Sequence, residues 1–152
     1  MNPRSARAER ATASLELVIV APIVLLLMMM IIAFGRYSQT ESLVDQAARD
    51  AARAATAQNN KSEVSSIVGS VVQETMNDAP SSCRDSAHPK APVYTGRAFE
   101  LPDITRPTDV ATVTITVTCV LDLGDLAALP LQDVRVSRTF TSPLDRYRGY
   151  QQ

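Results

Sequence analysis

The chain has few of the residues from which most active sites are built. Its 152 residues include one histidine, two cysteines, no tryptophan and five glycines, which are scattered. One histidine and two cysteines do not supply the ligand spacing of a zinc site, and scattered glycines form no phosphate-binding loop. The net charge of −1 provides no basic field for nucleic acid. We therefore predict a protein that is not an enzyme, with no catalytic residues, no cofactor, no metal and no nucleic-acid partner.

Two polar features are nevertheless candidates for a catalytic or a metal-binding role. His88 lies in a proline-rich stretch, and we expect a solvated side chain there, because a general base needs a positioned partner. Asp122 and Asp125 follow a predicted strand. A solvated turn is expected at this point, and a weak calcium site is the alternative, although calcium requires more oxygen ligands than these two residues offer.

Charge is completely absent from the longest apolar run. No residue from Leu17 to Gly35 is charged, and as a helix this run would be roughly 28 Å long. That length is close to the hydrocarbon thickness of a bilayer. The run is longer than the apolar region of most cleaved secretory signals. It therefore predicts a transmembrane helix that remains on the mature protein.

The charges on either side of the run predict its orientation. Three arginines and Glu9 lie before Glu16, the residue directly before the run, whereas acidic residues follow Arg36. The positive-inside bias then places the N-terminus in the cytoplasm and the chain from about Arg36 onward outside. We expect a single-pass protein of the cytoplasmic membrane, in contact with the lipid bilayer, whose C-terminal domain is extracytoplasmic. In that compartment Cys83 and Cys119 are expected to form a disulfide, and two buried thiols are the alternative.

The helical pattern continues beyond the membrane. Small apolar residues recur between Val44 and Ala55 at helical spacing, which predicts one long helix from about Ser14 to Ala57. Its seam of small residues is expected to pack closely against similar helices of partner subunits. Pro22 is expected to kink this helix. A second helix is predicted with Ser62 as its N-cap. The apolar stripe of the second helix consists of Val64, Ile67, Val68, Val71, Val72 and Met76.

The C-terminal half changes to the two-residue period of strands. Residues 112–121 alternate between threonine and buried-type apolar residues, and residues 134–140 alternate more weakly, so we predict an antiparallel pair with a long connection. "PVYTGRAFEL" adds a third strand, and "APSSCRDSAHPKAP" is predicted to be a loop. The order of helices followed by a small antiparallel sheet indicates an α+β fold. The expected units are a basic leader of residues 1–11, a helix of residues 12–57 with its lipid part at about 17–35, and a domain of residues 58–152.

The N-terminal pattern resembles the TadE-like family, the minor pseudopilins of the Tad (Flp, tight-adherence) pilus system, and implies a type IV pilin-like architecture. That family combines a small residue, a glutamate, an apolar run with an early proline, a Gly-Arg pair at its exit and an Ala-Ala-Arg repeat. The corresponding residues here are Ala11, Glu16, Pro22, Gly35 with Arg36, and the repeat at residues 47–53. The C-terminal "TVTITVTCVLDL" and "PLDRYRG" segments resemble the same family more weakly.

The resemblance implies a processing site and a set of partners. A prepilin peptidase would cut between Ala11 and Thr12, which makes Glu16 the fifth residue of the mature chain. Ala11 stands where the family usually has glycine, and Leu17 follows the glutamate where an aromatic residue is usual. The implied partners are the prepilin peptidase, other pilin or pseudopilin subunits and the Tad inner-membrane assembly machinery. The implied function is assembly of a Tad/Flp-type pilus, with incorporation into a surface pilus as one route.

We assign to Glu16 a role in setting the register of packed helices, and to Pro22 the kink that follows it in the same helix. A carboxylate at the edge of lipid is costly and requires a partner. A new α-amino group at Thr12, one helical turn away, would pair with it and set the register of packed helices. The alternative is that the carboxylate reaches water at the interface. For the whole chain the alternative is an unprocessed single-span membrane protein that displays a small extracellular binding domain.

Overall fold

One continuous helix forms the N-terminal third of the molecule. The computed structural model describes residues 3–100, 110–124 and 132–145, with side chains from residue 16 onward, and its helix α1 extends from Pro3 to Ala57. The helix therefore begins earlier than the expected Ser14. Alanine and arginine in the leader are good helix formers, and a proline is tolerated in the first turn. The helix continues without interruption past Pro22.

The second helix, α2, extends from Lys61 to Thr75 and is followed by a single 3-10 turn at Met76–Asp78. The prediction that Ser62 caps it is wrong. Asn60 is the N-cap: its backbone is extended, and its Oδ1 accepts hydrogen bonds from the backbone N–H of Ser62 at 3.0 Å and from the Ser62 hydroxyl at 2.9 Å. Ser62 lies inside the first turn. Its backbone amide, which has no partner within the helix, is already satisfied by the side chain of the extended residue Asn60.

Four strands form an antiparallel sheet: β1 (His88–Pro89), β2 (Val93–Thr95), β3 (Thr112–Leu121) and β4 (Val134–Pro143). β3 is central, pairing with β4 along its whole length and with β1 and β2 on its other side. The predicted long pair and third strand are confirmed. The segment predicted as a loop contains both β1 and a short helix, α3 (Ser81–Ser86). Six residues are too few for helical periodicity to be visible in the sequence.

The sheet presents an apolar face to α1 and a hydroxyl-rich face to solvent. Alternate residues of β3 from Val113 to Leu121 are buried, as predicted. On the other face, Thr114 pairs with Thr141 and Thr116 with Thr139 through hydroxyl hydrogen bonds of 2.8 and 2.9 Å. Such cross-strand threonine pairs stabilise an exposed sheet face.

β4 is also attached to α1 by charged side chains. Arg138 points toward α1 and forms an ion pair with Glu41. The guanidinium of Arg49 lies 5.8 Å from the ring centroid of Phe140. Because Val134, Arg138 and Phe140 contact successively later parts of α1, β4 runs in the same direction as the helix and β3 runs back toward its apolar part.

The seam of small residues on α1 is fully covered by the chain itself. Its members have no exposed surface, and the elements packed on this half of α1 are α2, β3 and β4. The residues concerned are Val44, Ala47, Ala48, Ala51, Ala52 and Ala55. The expectation that the seam packs against helices of partner subunits is therefore wrong. Small side chains do allow close packing here, but the surfaces that approach belong to the same molecule.

The predicted disulfide between Cys83 and Cys119 is present, with the two Cα atoms 4.9 Å apart. It joins α3 to β3. Both cysteines are buried. Two further hydrogen bonds hold α3 against the end of β3: the Ser86 hydroxyl accepts from the Val120 amide at 2.9 Å, and the Ser82 hydroxyl accepts from the Asp122 amide at 3.1 Å.

Candidate assembly surface of the N-terminal helix

The apolar part of α1 carries the largest exposed hydrophobic surface in the part of the chain that the structure describes. Its large side chains are exposed by 45% at Leu26 to 71% at Phe34, whereas the alanine seam further along the same helix is fully buried. Folding of the domain thus covers the part of α1 that carries the alanine seam and leaves the apolar part exposed. The segment beginning at Glu16 is long and apolar enough to cross a membrane. Exposed apolar surface of this extent is typical of a membrane-spanning helix, so the chain is a membrane-anchored protein.

Glu16 lies at the end of this surface that is far from the folded domain. Its side chain is exposed, and it shares one side of the helix with Leu17, Val20 and Val24. Glu16 precedes Gly35 by 19 residues, which corresponds to roughly 28 Å along a helix. No charged group of the described domain residues can reach the carboxylate over that distance. A partner for Glu16 must therefore come from solvent, from the N-terminal residues or from another chain.

The predicted processing bond lies within the same helix. The backbone of α1 is helical on both sides of the Ala11–Thr12 bond, while the side chains of these two residues lie outside those that the structure describes. Thr12 is four residues before Glu16, which places their Cα atoms about 6 Å apart along the axis. This spacing brings an amino group at Thr12 and the Glu16 side chain onto the same side of one helical turn.

The domain approaches the apolar part of α1 at one place that the sequence did not reveal. A groove of about 670 Å³ lies between α1 and the end of the sheet, and two residues of the domain, Leu123 and Val134, line it together with the helix. The helix contributes Ile23, Leu26, Leu27, Met30, Ala33, Phe34 and Tyr37. Their spacing at i, i+3, i+4 and i+7 marks one face of α1. The uniformly uncharged run does not distinguish this face in the sequence, and the approach of Leu123 and Val134 depends on the strand register.

A comparison with known protein families finds a match in the N-terminal helix α1. The family described as TadE-like protein matches residues 11–53. The chain carries a TadE-like segment. No curated protein and no solved structure matches the chain significantly. The TadE-like segment contains Ala11, Thr12, Glu16 and Pro22 and ends within α1, four residues before Ala57. The resemblance noted in the sequence is confirmed over these residues.

The likeness of this segment to the TadE-like family suggests a protein associated with the Tad pilus. Pilins and pseudopilins are, in general terms, the partners that such an association implies. The match covers both the exposed apolar part of α1 and most of the alanine seam. The rest of the domain, from α2 to β4, lies outside it. The family signal is therefore concentrated in the helix.

Proposed function

We propose that the chain is a minor pseudopilin that a prepilin peptidase processes between Ala11 and Thr12, and that it acts in assembly of a Tad-type pilus. The observation that carries the proposal is the exposed carboxylate of Glu16 on an otherwise apolar helix surface inside the TadE-like segment. The role is structural, and the proposal assigns no catalytic activity to the chain.

Cleavage would change the charge balance at the start of the apolar helix. Removal of the arginine-rich leader would create an α-amino group at Thr12, one turn before Glu16. In a lipid environment a carboxylate is stabilised by an opposite charge with which it can form a hydrogen bond. That amino group, on the same chain or on a neighbouring subunit, is the partner that processing supplies. A pair at a fixed position on each helix would set their axial register.

The buried seam supports assembly through the membrane part of α1. Helices in lipid associate through side-chain packing and through satisfaction of polar groups, not through the hydrophobic effect. The seam around Ala48 and Ala51 is already occupied by the chain's own domain, so Leu17–Phe34 is the apolar part of α1 that remains free for other helices. Large apolar side chains specify register poorly, and the polar group at Glu16 would provide the missing specificity.

Processing can be tested by the mass of the protein from its own host. With active prepilin peptidase, intact-mass measurement and N-terminal sequencing should show a chain that begins at Thr12, and the leader should remain when the peptidase is deleted. A matched pair of variants sharpens the result. Ala11→Gly should be processed at least as efficiently as the wild type, whereas Ala11→Leu should block cleavage because the small residue is lost. A wild-type chain that keeps Met1 in the presence of the peptidase would refute processing.

The role of Glu16 can be tested by co-purification after crosslinking in membranes. Glu16→Ala should insert normally but lose its association with the other pilin-type subunits encoded by the host. Glu16→Gln, which keeps the shape but not the charge, should lose most of it as well. Val18→Ala, a truncation at an exposed apolar position, is the control and should associate as the wild type does. Equal recovery of partners by Glu16→Ala and by this control would contradict the proposal.

The second candidate function is that of an unprocessed single-span protein that displays its domain for binding. Two observations favour it: alanine replaces the usual glycine at residue 11, and the helix continues across the bond to be cut, so the peptidase would have to unwind it. The mature N-terminus separates the two candidates, since the binding protein would keep its leader and would not depend on Glu16.

A further inference from the structure

A cationic cleft lies on the solvent face of the sheet. It has a volume of about 260 Å³, and His88, Lys90, Arg135, Thr118 and Ser137 supply its polar side chains. No carboxylate from the described residues lines it. The cleft is independent of the TadE-like segment and of the proposed processing, because all of its residues follow α2.

Strand register brings these five side chains together. His88 and Ser137 both lie opposite Thr118, one from β1 and one from β4. Arg135 lies two pairs further toward the end of the sheet, opposite Val120. Lys90 is held beside β3 by a 2.8 Å hydrogen bond from its amide to the Thr116 carbonyl. Alternation along β3 and β4 places the side chains on the face that points away from α1.

The side chains of Lys90 and Arg135 present hydrogen-bond donors that no acceptor among the described residues uses. Lys90 and Arg135 are exposed, and neither forms an ion pair with a residue that the structure describes, in contrast to Arg138, which pairs with Glu41. Among the described residues, Asp122 follows β3 and Asp133 precedes β4 at this end of the sheet. Asp122 is occupied by the Gly124 amide, which donates to its Oδ1 at 2.6 Å, and Asp133 does not line the cleft.

The imidazole of His88 is held at one side of the cleft. Its Nδ1 lies 2.8 Å from the Ser86 carbonyl oxygen, which can only accept, so Nδ1 carries a proton. Its Nε2 lies 3.2 Å from the Thr118 hydroxyl. The two contacts fix the ring against β3, so that it forms a wall of the cleft beside the hydroxyls.

The position of the cleft along α1 indicates what can reach it. Val134, the neighbour of Arg135, lines a groove with Phe34 and Tyr37, at the point where the uncharged run ends at Gly35. Arg135 is therefore level with the exit of the helix from the hydrocarbon. Ser137 and Thr118 lie two strand residues further out than Arg135, which is about 7 Å at 3.3 Å per residue. Headgroup layers extend about 5–8 Å beyond the hydrocarbon, and a lysine or arginine side chain spans the remaining distance.

We propose that this cleft binds the phosphate group of an anionic membrane lipid. A phosphodiester offers oxygen acceptors to the guanidinium fork of Arg135, the ammonium of Lys90 and the hydroxyl of Ser137. A lipid headgroup is assigned in preference to a soluble phosphate because the cleft lies at headgroup level on a chain that is anchored beside it. Bound lipid would hold the domain against the membrane surface and fix its tilt relative to α1.

The test uses the full chain in uncharged detergent micelles, titrated with short-chain phosphatidylglycerol and followed by native mass spectrometry. Phosphatidylcholine of the same chain length and inorganic phosphate are separate arms. Lys90→Gln with Arg135→Gln should weaken phosphatidylglycerol binding about 25-fold, because one basic residue near an anionic surface contributes about a fivefold effect. Arg53→Gln with Lys61→Gln removes the same charge at the opposite end of the domain and should change binding by less than twofold.

Each result decides the assignment. Tight binding of phosphatidylglycerol that only the cleft variant loses would support it. Equal binding of phosphatidylcholine, or an equal loss in the control variant, would overturn it. Inorganic phosphate binding as tightly as the lipid would also overturn it and would leave an anion site of another kind. Both substituted positions in the cleft are exposed, and circular dichroism of the variants verifies that the domain is folded. Lys90→Glu with Arg135→Glu provides a second variant, for which binding should be abolished.

Discussion

Removal of the disulfide is expected to be the most damaging small change to the domain. The perturbation is the double substitution Cys83→Ala and Cys119→Ala, whose positions are 36 residues apart in the sequence. Opening a loop of this length in the unfolded chain restores conformational entropy equivalent to about 4 kcal/mol at 25 °C. Domains of this size have free energies of unfolding of about 5–15 kcal/mol. The variant should therefore lose between a quarter and most of the stability of the domain.

The loss should be concentrated where the disulfide makes its attachment. α3 has only six residues, and a helix of that length does not persist without tertiary contacts. Besides the disulfide, its described polar links to the end of β3 include the hydroxyls of Ser82 and Ser86, each worth about 1 kcal/mol. We therefore expect α3 to detach first, which would expose the peptide bonds near Arg84 to trypsin before the domain unfolds as a whole.

The assay is urea unfolding of the full chain in uncharged micelles, followed by circular dichroism and limited proteolysis. With a slope of about 2 kcal/mol per molar urea, a loss of 4 kcal/mol shifts the midpoint by about 2 M. Wild-type protein treated with a reductant should show a comparable shift, while the double variant should not respond to the reductant. A variant midpoint within 0.5 M of the oxidised wild type, with the disulfide of the latter verified by mass, would refute the entropic reasoning.

Two further substitutions test the packing of the helices in the same unfolding assay. Ala48→Leu should destabilise the domain by about 1–3 kcal/mol, because the alanine is fully buried against the chain's own elements. Ala57→Leu, at an exposed position of the same helix, should have little effect. If Ala48→Leu leaves the stability unchanged, the seam is not closed by the domain. Asn60→Ala should lower the free energy of unfolding by about 1 kcal/mol through loss of the α2 cap. Asn59→Ala, one residue earlier and exposed, should lower it by less than half of that. Equal losses in the two variants would contradict the assignment of the cap.

Periodicity was sufficient to predict the elements that are long. Residues 112–119 alternate strictly, and a two-residue period with β-branched side chains is typical of a strand with one buried face. The long helix was equally clear, because the uncharged run and the alanine repeat share one helical period. The disulfide followed from the predicted compartment, since two cysteines beyond a membrane helix have a single possible intramolecular pairing.

Features that depend on tertiary contacts could not be predicted in this way. Asn60 and Ser62 are both good caps, and only the extended backbone at Asn60 decides between them. The helix α3 is too short to show a helical period in the sequence, and it depends on its disulfide and hydrogen bonds to β3. The cationic cleft required the register that places Arg135 two pairs beyond Ser137 and Thr118, on the same face. None of these relationships is encoded in local spacing.

The alanine seam shows most clearly how the structure changes the functional interpretation. Small residues at helical spacing predict a close approach of some surface, but they do not identify it. In the folded chain, α2 and the sheet occupy that position, and Ala48 and Ala51 have no surface left for a second molecule. Assembly of subunits through the apolar surface of α1 must therefore rely on Leu17–Phe34, and the polar residue Glu16 lies at the end of this surface that is far from the domain. The requirement for specificity thus falls on that carboxylate, and for this reason its substitution should abolish association while leaving the folded domain intact.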